Sequence, residues 1–275
     1  MSNILVIPDI HGRKFWREPV YKALADKNID EIIFLGDYLD PYPNEIDDNP
    51  ELMECKSFYD YENLSNMLDN ILSLKKAYPD KIILLTGNHT DSYIWSNFSS
   101  ATRTDRKNWE KYHNFFLENL ELFNLVWVKD KTIFTHAGIS KDWAYKFLDT
   151  YMQYDESSLE CDVILECVEV LKDTPLSDFN NHYIDAISEI GSYRGGYFGD
   201  YGSCEWADLR EHISNIKFIK SENKEIIIPK DYNEYFQIFG HTQLVNKPII
   251  TDKWACLDCR QGFIVNTITH EISKC

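Results

Sequence analysis

No stretch of this sequence is apolar enough to cross a membrane: none reaches the roughly 18 residues that a spanning helix needs, and mean hydropathy is −0.41. A secretory leader is not expected either, because Met1-Ser2-Asn3-Ile4-Leu5-Val6-Ile7-Pro8-Asp9 has neither a basic start nor a long apolar segment. Cysteines number seven, an odd count without the spacing of a disulfide framework. Reduced thiols and a cytoplasmic location are therefore expected. Positive charge is scarce, with 28 Lys and Arg against 45 Asp and Glu, a formal net charge of −17. So negative a surface repels phosphate backbones and anionic lipid, so neither extended nucleic acid nor a membrane is an expected partner. Repeats, low-complexity tracts and Pro/Gly/Ser-rich linkers are absent too, and 275 residues are ample for one core.

What is present is an alternation of short apolar runs and helical patterns. Ile4-Leu5-Val6-Ile7, Ile32-Ile33-Phe34-Leu35, Ile82-Ile83-Leu84-Leu85, Thr132-Ile133-Phe134 and Phe236-Gln237-Ile238-Phe239 read as strands covered on both faces. Trp16 to Ala25, Tyr61 to Ala77 and Arg106 to Leu117 carry apolar residues at helical spacing. This order predicts an α/β chain whose sheet is largely parallel at its start. Ile249-Ile250, Trp254 to Leu257 and Gly262 to Val265 lie close together and read as antiparallel hairpins of a second sheet. Lys141 to Ile190 is helical and acidic, and is read as part of an insertion or cap at about 141–215 on a single domain spanning 1–275.

The polar residues that follow the strands carry the chemistry. The runs end in Asp9-Ile10-His11-Gly12, Gly36-Asp37-Tyr38-Leu39-Asp40, Gly87-Asn88-His89, His136-Ala137-Gly138 and Gly240-His241-Thr242. Ligands of open α/β sheets gather beyond the carboxyl ends of strands. Carboxylates, an amide oxygen and imidazoles suit Mn²⁺, Fe or Zn²⁺. They are too many for one four-coordinate ion, and two metals about 3.5–4 Å apart, bridged by one carboxylate, account for them. Each piece alone is ordinary turn chemistry; the set is not. His113, His182, His212 and His270 lack this context and are read as structural or surface residues.

These five blocks resemble those of the calcineurin-like metallophosphoesterase superfamily. The Asp37-Tyr38-Leu39-Asp40 block, and a Gly240-His241-Thr242-Gln243 end without a second His, resemble its phosphoprotein-phosphatase branch. Lys247-Pro248 and Leu257-Asp258 resemble the bacterial members of that branch. The resemblance implies two mixed β-sheets packed as a sandwich and flanked by helices, in four layers. It implies Asp9, His11 and Asp37 as ligands of a first metal, and Asp37, Asn88, His136 and His241 as ligands of a second, with two divalent ions, Mn²⁺ foremost. By the same resemblance His89 is the general acid and Asp40 the carboxylate that holds its tautomer.

The pattern departs from that branch after Asp40, where Pro41-Tyr42 replaces the usual Arg-Gly and one phosphate-gripping arginine is missing. Arg194, within Tyr193-Arg194-Gly195-Gly196, is the leading substitute, with Arg210 and Arg13 as rivals. Thr90 stands where the branch often has an acidic residue, and Asp91 follows it. Cys256-Leu257-Asp258-Cys259 would need two further ligands to hold a structural zinc. The acidic stretch from Asn44 to Glu51 reads as a solvated loop beside the cleft. The expected activity is hydrolysis of phosphate monoesters, as a serine/threonine phosphoprotein-phosphatase-like enzyme. A dinucleoside polyphosphate or another small phosphorylated metabolite is the alternative substrate, for which Tyr193, Tyr197, Phe198 and Tyr201 would build an aromatic pocket. An inactive metal-binding scaffold is disfavoured, because every ligand position and the acid are intact.

Overall fold

The computed structural model describes residues 2–95, 101–152, 162–179, 181–188, 194, 201–219, 224–230 and 234–275. The chain runs β1 (Asn3–Ile7), α1 (Arg17–Ala25), β2 (Glu31–Phe34), α2 (Pro43–Asp48), α3 (Tyr61–Ala77), β3 (Ile82–Leu85), α4 (Asn88–Ile94), α5 (Trp109–Leu117), β4 (Phe123–Asn124), β5 (Val126–Lys129) and β6 (Thr132–Thr135). It continues through α6 (Lys141–Met152), α7 (Val163–Asp173), α8 (Asn181–Ser188), β7 (Ile213–Ile219), β8 (Lys224–Pro229), β9 (Phe236–Phe239), β10 (Ile249–Ile250), β11 (Trp254–Cys256), β12 (Phe263–Asn266) and β13 (Ile272–Lys274). One sheet has the order β13-β12-β1-β2-β3-β4 and the other β10-β11-β9-β6-β5, while β7 and β8 form a separate ribbon.

The continuous apolar runs follow from coverage on both faces. Ile4, Val6, Ile33, Leu35, Ile83 and Leu85 face the second sheet and meet Phe134, Phe236, Ile238 and Ala255 there. Their alternating neighbours Leu5, Ile7, Ile32, Phe34, Ile82 and Leu84 face the helices. On that side α3 buries Leu64, Met67, Leu68, Ile71 and Leu72, a stripe at the spacing of one helical face. Asp60 caps this helix through the Asn63 N–H, and Lys75 and Lys76 complement its C-terminal dipole. Behind the second sheet, Trp143 and Phe147 of α6 and Cys167 and Val168 of α7 join the core of Ile133, Phe239 and Trp254. Helices, sheet, sheet and helices make four layers.

The five polar turns leave two sheets, as the resemblance implied: β1, β2 and β3 run parallel in the first, β6 and β9 in the second. Several elements differ from the sequence expectation. The C-terminal strands are divided. β10 and β11 form an antiparallel pair, but β11 adds parallel to β9, while β12 crosses to the first sheet and pairs antiparallel with β1. Spacing cannot tell a hairpin from a crossover when both sheets need an edge. The helix expected from Arg106 begins at Trp109, because the Asp105 carboxylate takes the Lys107 and Asn108 N–H groups at 3.0 and 3.1 Å and holds a turn. The acidic stretch from Asn44 is helix α2 and a following 3₁₀ turn rather than a loop. Its Glu45 is held by two arginines, Arg13 at 2.6 and 3.1 Å and Arg260 from the far end of the chain.

Candidate metal centre and active site

Left-handed backbone marks the site. His11, Asp37, Asp40 and His241 all have φ between 45° and 61°, in turns that follow β1, β2 and β9. This conformation costs a non-glycine residue roughly 1–3 kcal/mol and persists where the surroundings over-determine it. Two glycines are required by close approach instead. A Cβ at Gly87 would stand 2.5 Å from Asp37 Oδ1 and 2.8 Å from the His136 ring; one at Gly240 would stand 2.2 Å from Asp9 Oδ1.

The donor atoms converge in two groups that share Asp37. His11, Asp37 and His89 form one, and Asp37, His136 and His241 the other, with the atoms of each group within 4.8 Å of one another. Asp37 Oδ2 lies 3.6 Å from His11 Nε2 and 3.4 Å from His136 Nε2, the position a bridging carboxylate needs. Asn88 Oδ1 is 3.0 Å from both His136 Nε2 and His241 Nδ1, which are 3.2 Å apart. Asp9 is outside both groups, beneath the His241 N–H at 3.1 Å to each oxygen.

The tautomers fit cations. His11 Nδ1 donates to the Leu39 carbonyl at 2.8 Å and His136 Nδ1 to the Leu35 carbonyl at 2.9 Å. Each ring thereby turns its Nε2 toward Asp37, the orientation of a metal-binding histidine whose other nitrogen is fixed by a carbonyl. The convergent imidazole nitrogens, amide oxygen and carboxylate form a donor set that suits a divalent ion, which would take the place of the proton that His136 otherwise holds. Burial pulls the His136 imidazole down, but Asp37 and Asp9 outweigh it and push it up to about 9. Burial holds His11 and His241 well below the usual imidazole range. Asp37 is buried, which raises its carboxyl, yet His136, His89 and His11 bring it well below the ordinary value. Burial raises Asp9.

Beside the first group, His89 Nδ1 meets Asp40 Oδ2 at 2.7 Å. Burial raises the Asp40 carboxyl, against the pull of His89. Asp40 Oδ1 accepts from the Tyr93 hydroxyl and, at 3.3 Å, from the Asp105 N–H. Thr90 and Asp91 are buried in α4, and the Asp91 carboxylate has no hydrogen-bond partner among the described residues. It is Asp40 that holds His89.

Of the three arginines singled out by sequence, two are committed to carboxylates. Arg13 is buried against Glu45 and the Asp9 and Ile10 carbonyls. Arg210 forks onto Asp208 at 2.8 and 3.1 Å. Arg194 has φ 68°, its charge lowers His241, and its Nη1 is buried without an acceptor among the described residues. Its neighbours Tyr193, Gly195, Gly196, Tyr197 and Phe198 lie outside the described residues. Cys256 sets its thiol on the Gly240 and Thr242 carbonyls, and Cys259 takes a bond from Gln261.

Two residues at the site were missed. Arg103, in the turn before α5, brings Nη2 within 3.4 Å of His89 Nε2 and lies over the Tyr42 ring at 3.7 Å. Glu205 is fully buried beside Thr86, whose hydroxyl donates to it, and burial pushes its carboxyl up to about 8. Neither carries a local motif; the readable signal was only the gap left at Pro41-Tyr42.

Comparison with known proteins gives the same outline. The family model for calcineurin-like phosphoesterases matches residues 2–244. A cold-active protein-tyrosine phosphatase from a psychrophilic Shewanella is similar in structure, with TM-score 0.51 and 13% identity over 100% of this chain and 80% of that one. A protein serine/threonine phosphatase of Saccharomyces cerevisiae matches at TM-score 0.47 and 12% identity, over 99% of this chain and 79% of that one.

Proposed function

The chain belongs to the calcineurin-like phosphoesterase family and is a metal-dependent phosphoesterase, and on that premise we propose that it hydrolyses phosphate monoesters of alcohols, foremost phosphoserine and phosphothreonine in proteins. The observation that carries this is the His89–Asp40 pair set against the His11 and Asp37 donors. An alkoxide leaving group is too basic to depart unassisted, so its hydrolysis needs a proton delivered to the leaving oxygen. Asp40 fixes the ring so that Nε2 faces the site, and Nε2 is the atom that delivers the proton. Gln243, in place of a second histidine after His241, supports the phosphoprotein-phosphatase branch.

Asp9, His11 and Asp37 would hold one divalent cation, and Asp37, Asn88, His136 and His241 a second, Mn²⁺ being the ion we favour. Bound there, the pair supplies a lowered water pKa and screening of phosphoryl charge. The protein's own part is orientation. Asp37 stands between the two donor groups, His89 faces the leaving oxygen, and Arg194 offers a donor beside His241.

The test is turnover of phosphoserine and phosphothreonine peptides, dinucleoside polyphosphates and phosphodiesters by the Mn²⁺-loaded protein, with Asp37→Asn as control. Phosphopeptides are expected to be the best substrates. His89→Asn is expected to lower their turnover about 10²–10⁴-fold while bound metal is retained. Because His89 shares a donor group with His11 and Asp37, loss of metal in that variant would make it a ligand and overturn the acid assignment. Preferential cleavage of dinucleoside polyphosphates would move the substrate class to small metabolites.

A further inference from the structure

Arg103 is placed by contacts that leave its guanidinium facing the site. Its Nε reaches the Asp40 carbonyl at 3.4 Å, and its Nη1 reaches the Thr102 hydroxyl at 3.1 Å. Its Nη2 lies 3.4 Å from His89 Nε2. With Nδ1 of His89 given to Asp40, Nε2 is the ring atom left facing the site, and Arg103 sets guanidinium N–H groups beside it, where an oxyanion would take a charge-assisted hydrogen bond. The residue is half-buried and has φ 66°, so the turn holds it in a conformation that side chains avoid.

What holds it is specific. The Tyr42 ring lies 3.7 Å from the guanidinium carbon, a cation–π contact that fixes the plane of the fork while leaving its N–H groups available. The turn itself is moored to Asp40, whose Oδ1 takes the Asp105 N–H, while the Tyr93 hydroxyl takes that N–H at 2.7 Å. One carboxylate thus positions both the His89 ring and the backbone that carries Arg103.

We propose that Arg103, stacked on Tyr42, binds a non-esterified phosphoryl oxygen beside His89 and selects dianionic monoesters over diesters. In a monoester the phosphoryl group presents three non-bridging oxygens sharing two charges, so the fork finds an anionic acceptor next to the leaving oxygen. In a diester one of these positions is alkylated and carries a single charge less, and Arg103 meets a poor acceptor. The inference rests on the phosphoesterase reading and adds the residue that sets ester class.

The experiment compares wild type, Arg103→Ala, Arg103→Lys, Tyr42→Leu and Tyr42→Phe, all loaded with Mn²⁺. Assays are p-nitrophenyl phosphate and bis-p-nitrophenyl phosphate turnover, inorganic phosphate binding by calorimetry, and metal content. Arg103→Ala is expected to lower monoester kcat/KM about 100-fold and phosphate affinity about tenfold, with diester turnover changed less than about threefold and metal content unchanged. Arg103→Lys recovers part of the phosphate affinity, and Tyr42→Phe recovers what Tyr42→Leu loses, because the ring is restored. Equal losses on both esters, or unchanged phosphate affinity in Arg103→Ala, would overturn the proposal. Phosphate binding is read without turnover, so a wild-type protein that hydrolyses neither ester would count against the phosphoesterase reading while still testing Arg103.

Discussion

Glu205 offers a quantitative test of how the site is built. Its side chain has no exposure, its Oε1 accepts from the Thr86 hydroxyl, and its Oε2 is buried without a partner among the described residues. Burial pushes the carboxyl from its ordinary 4.5 up to about 8. The folded protein therefore holds a proton that the unfolded chain releases at neutral pH, and folding must take that proton up. The cost is absent below 4.5, grows as pH rises, and levels off above about 8. At about pH 7 it comes to about 3 kcal/mol, taking about 1.4 kcal/mol per pH unit. Glu205→Gln keeps an oxygen for Thr86 and removes the titration. Urea unfolding with chelator, which keeps metal occupancy equal, should show the variant more stable by about 3 kcal/mol near neutrality. The two proteins should converge in stability at about pH 4.5. A difference that does not depend on pH, or a variant less stable at neutral pH, would refute the argument that Glu205 is folded as the neutral acid.

Two further outcomes follow from the geometry. In the metal-free protein His136 keeps its second proton up to about 9, so binding a cation at Nε2 must expel it. Mn²⁺ affinity should then rise about tenfold per pH unit up to that value, and calorimetry in buffers of different ionisation enthalpy should detect release of about one proton at about pH 7. Glu45 links Arg13 and Arg260, and with Arg13 buried its removal leaves a guanidinium unpaired. Glu45→Ala should cost about 3 kcal/mol in denaturant unfolding, whereas Asp47→Ala and Asp48→Ala, on the exposed face of α2, should stay within about 0.5 kcal/mol.

The central strands were legible because their residues face apolar partners on both sides, which produces an uninterrupted run whatever the topology. Ile4, Ile32, Ile82, Ile133 and Phe236 lie in strands for this reason, and glycines beside Asp37, Asn88 and His241 were readable as sites of turn or close approach. The division of strands between sheets was not legible. Trp254 and Phe263 stand a few residues apart and join opposite sheets, a choice made by which edge is open rather than by any local pattern. The helix α2 was misread because Glu45, Asp47 and Asp48 outnumber Ile46, while the pairing that anchors it, Glu45 with Arg13 and Arg260, spans most of the chain.

By itself the sequence determined which residue types stand at the ends of five strands, and with them a donor set suited to two divalent cations. Those features are local: a strand run, a glycine and the polar residue beside it occupy consecutive positions. Only the tertiary structure decided which arginine faces His89. Arg13 is two residues from His11 yet turns its fork to Glu45, while Arg103, in a turn without a motif, is carried to His89 by the Asp40 carboxylate and the face of Tyr42. A guanidinium is directed by the acceptors and rings around it, and those are gathered by folding from segments that the sequence keeps far apart.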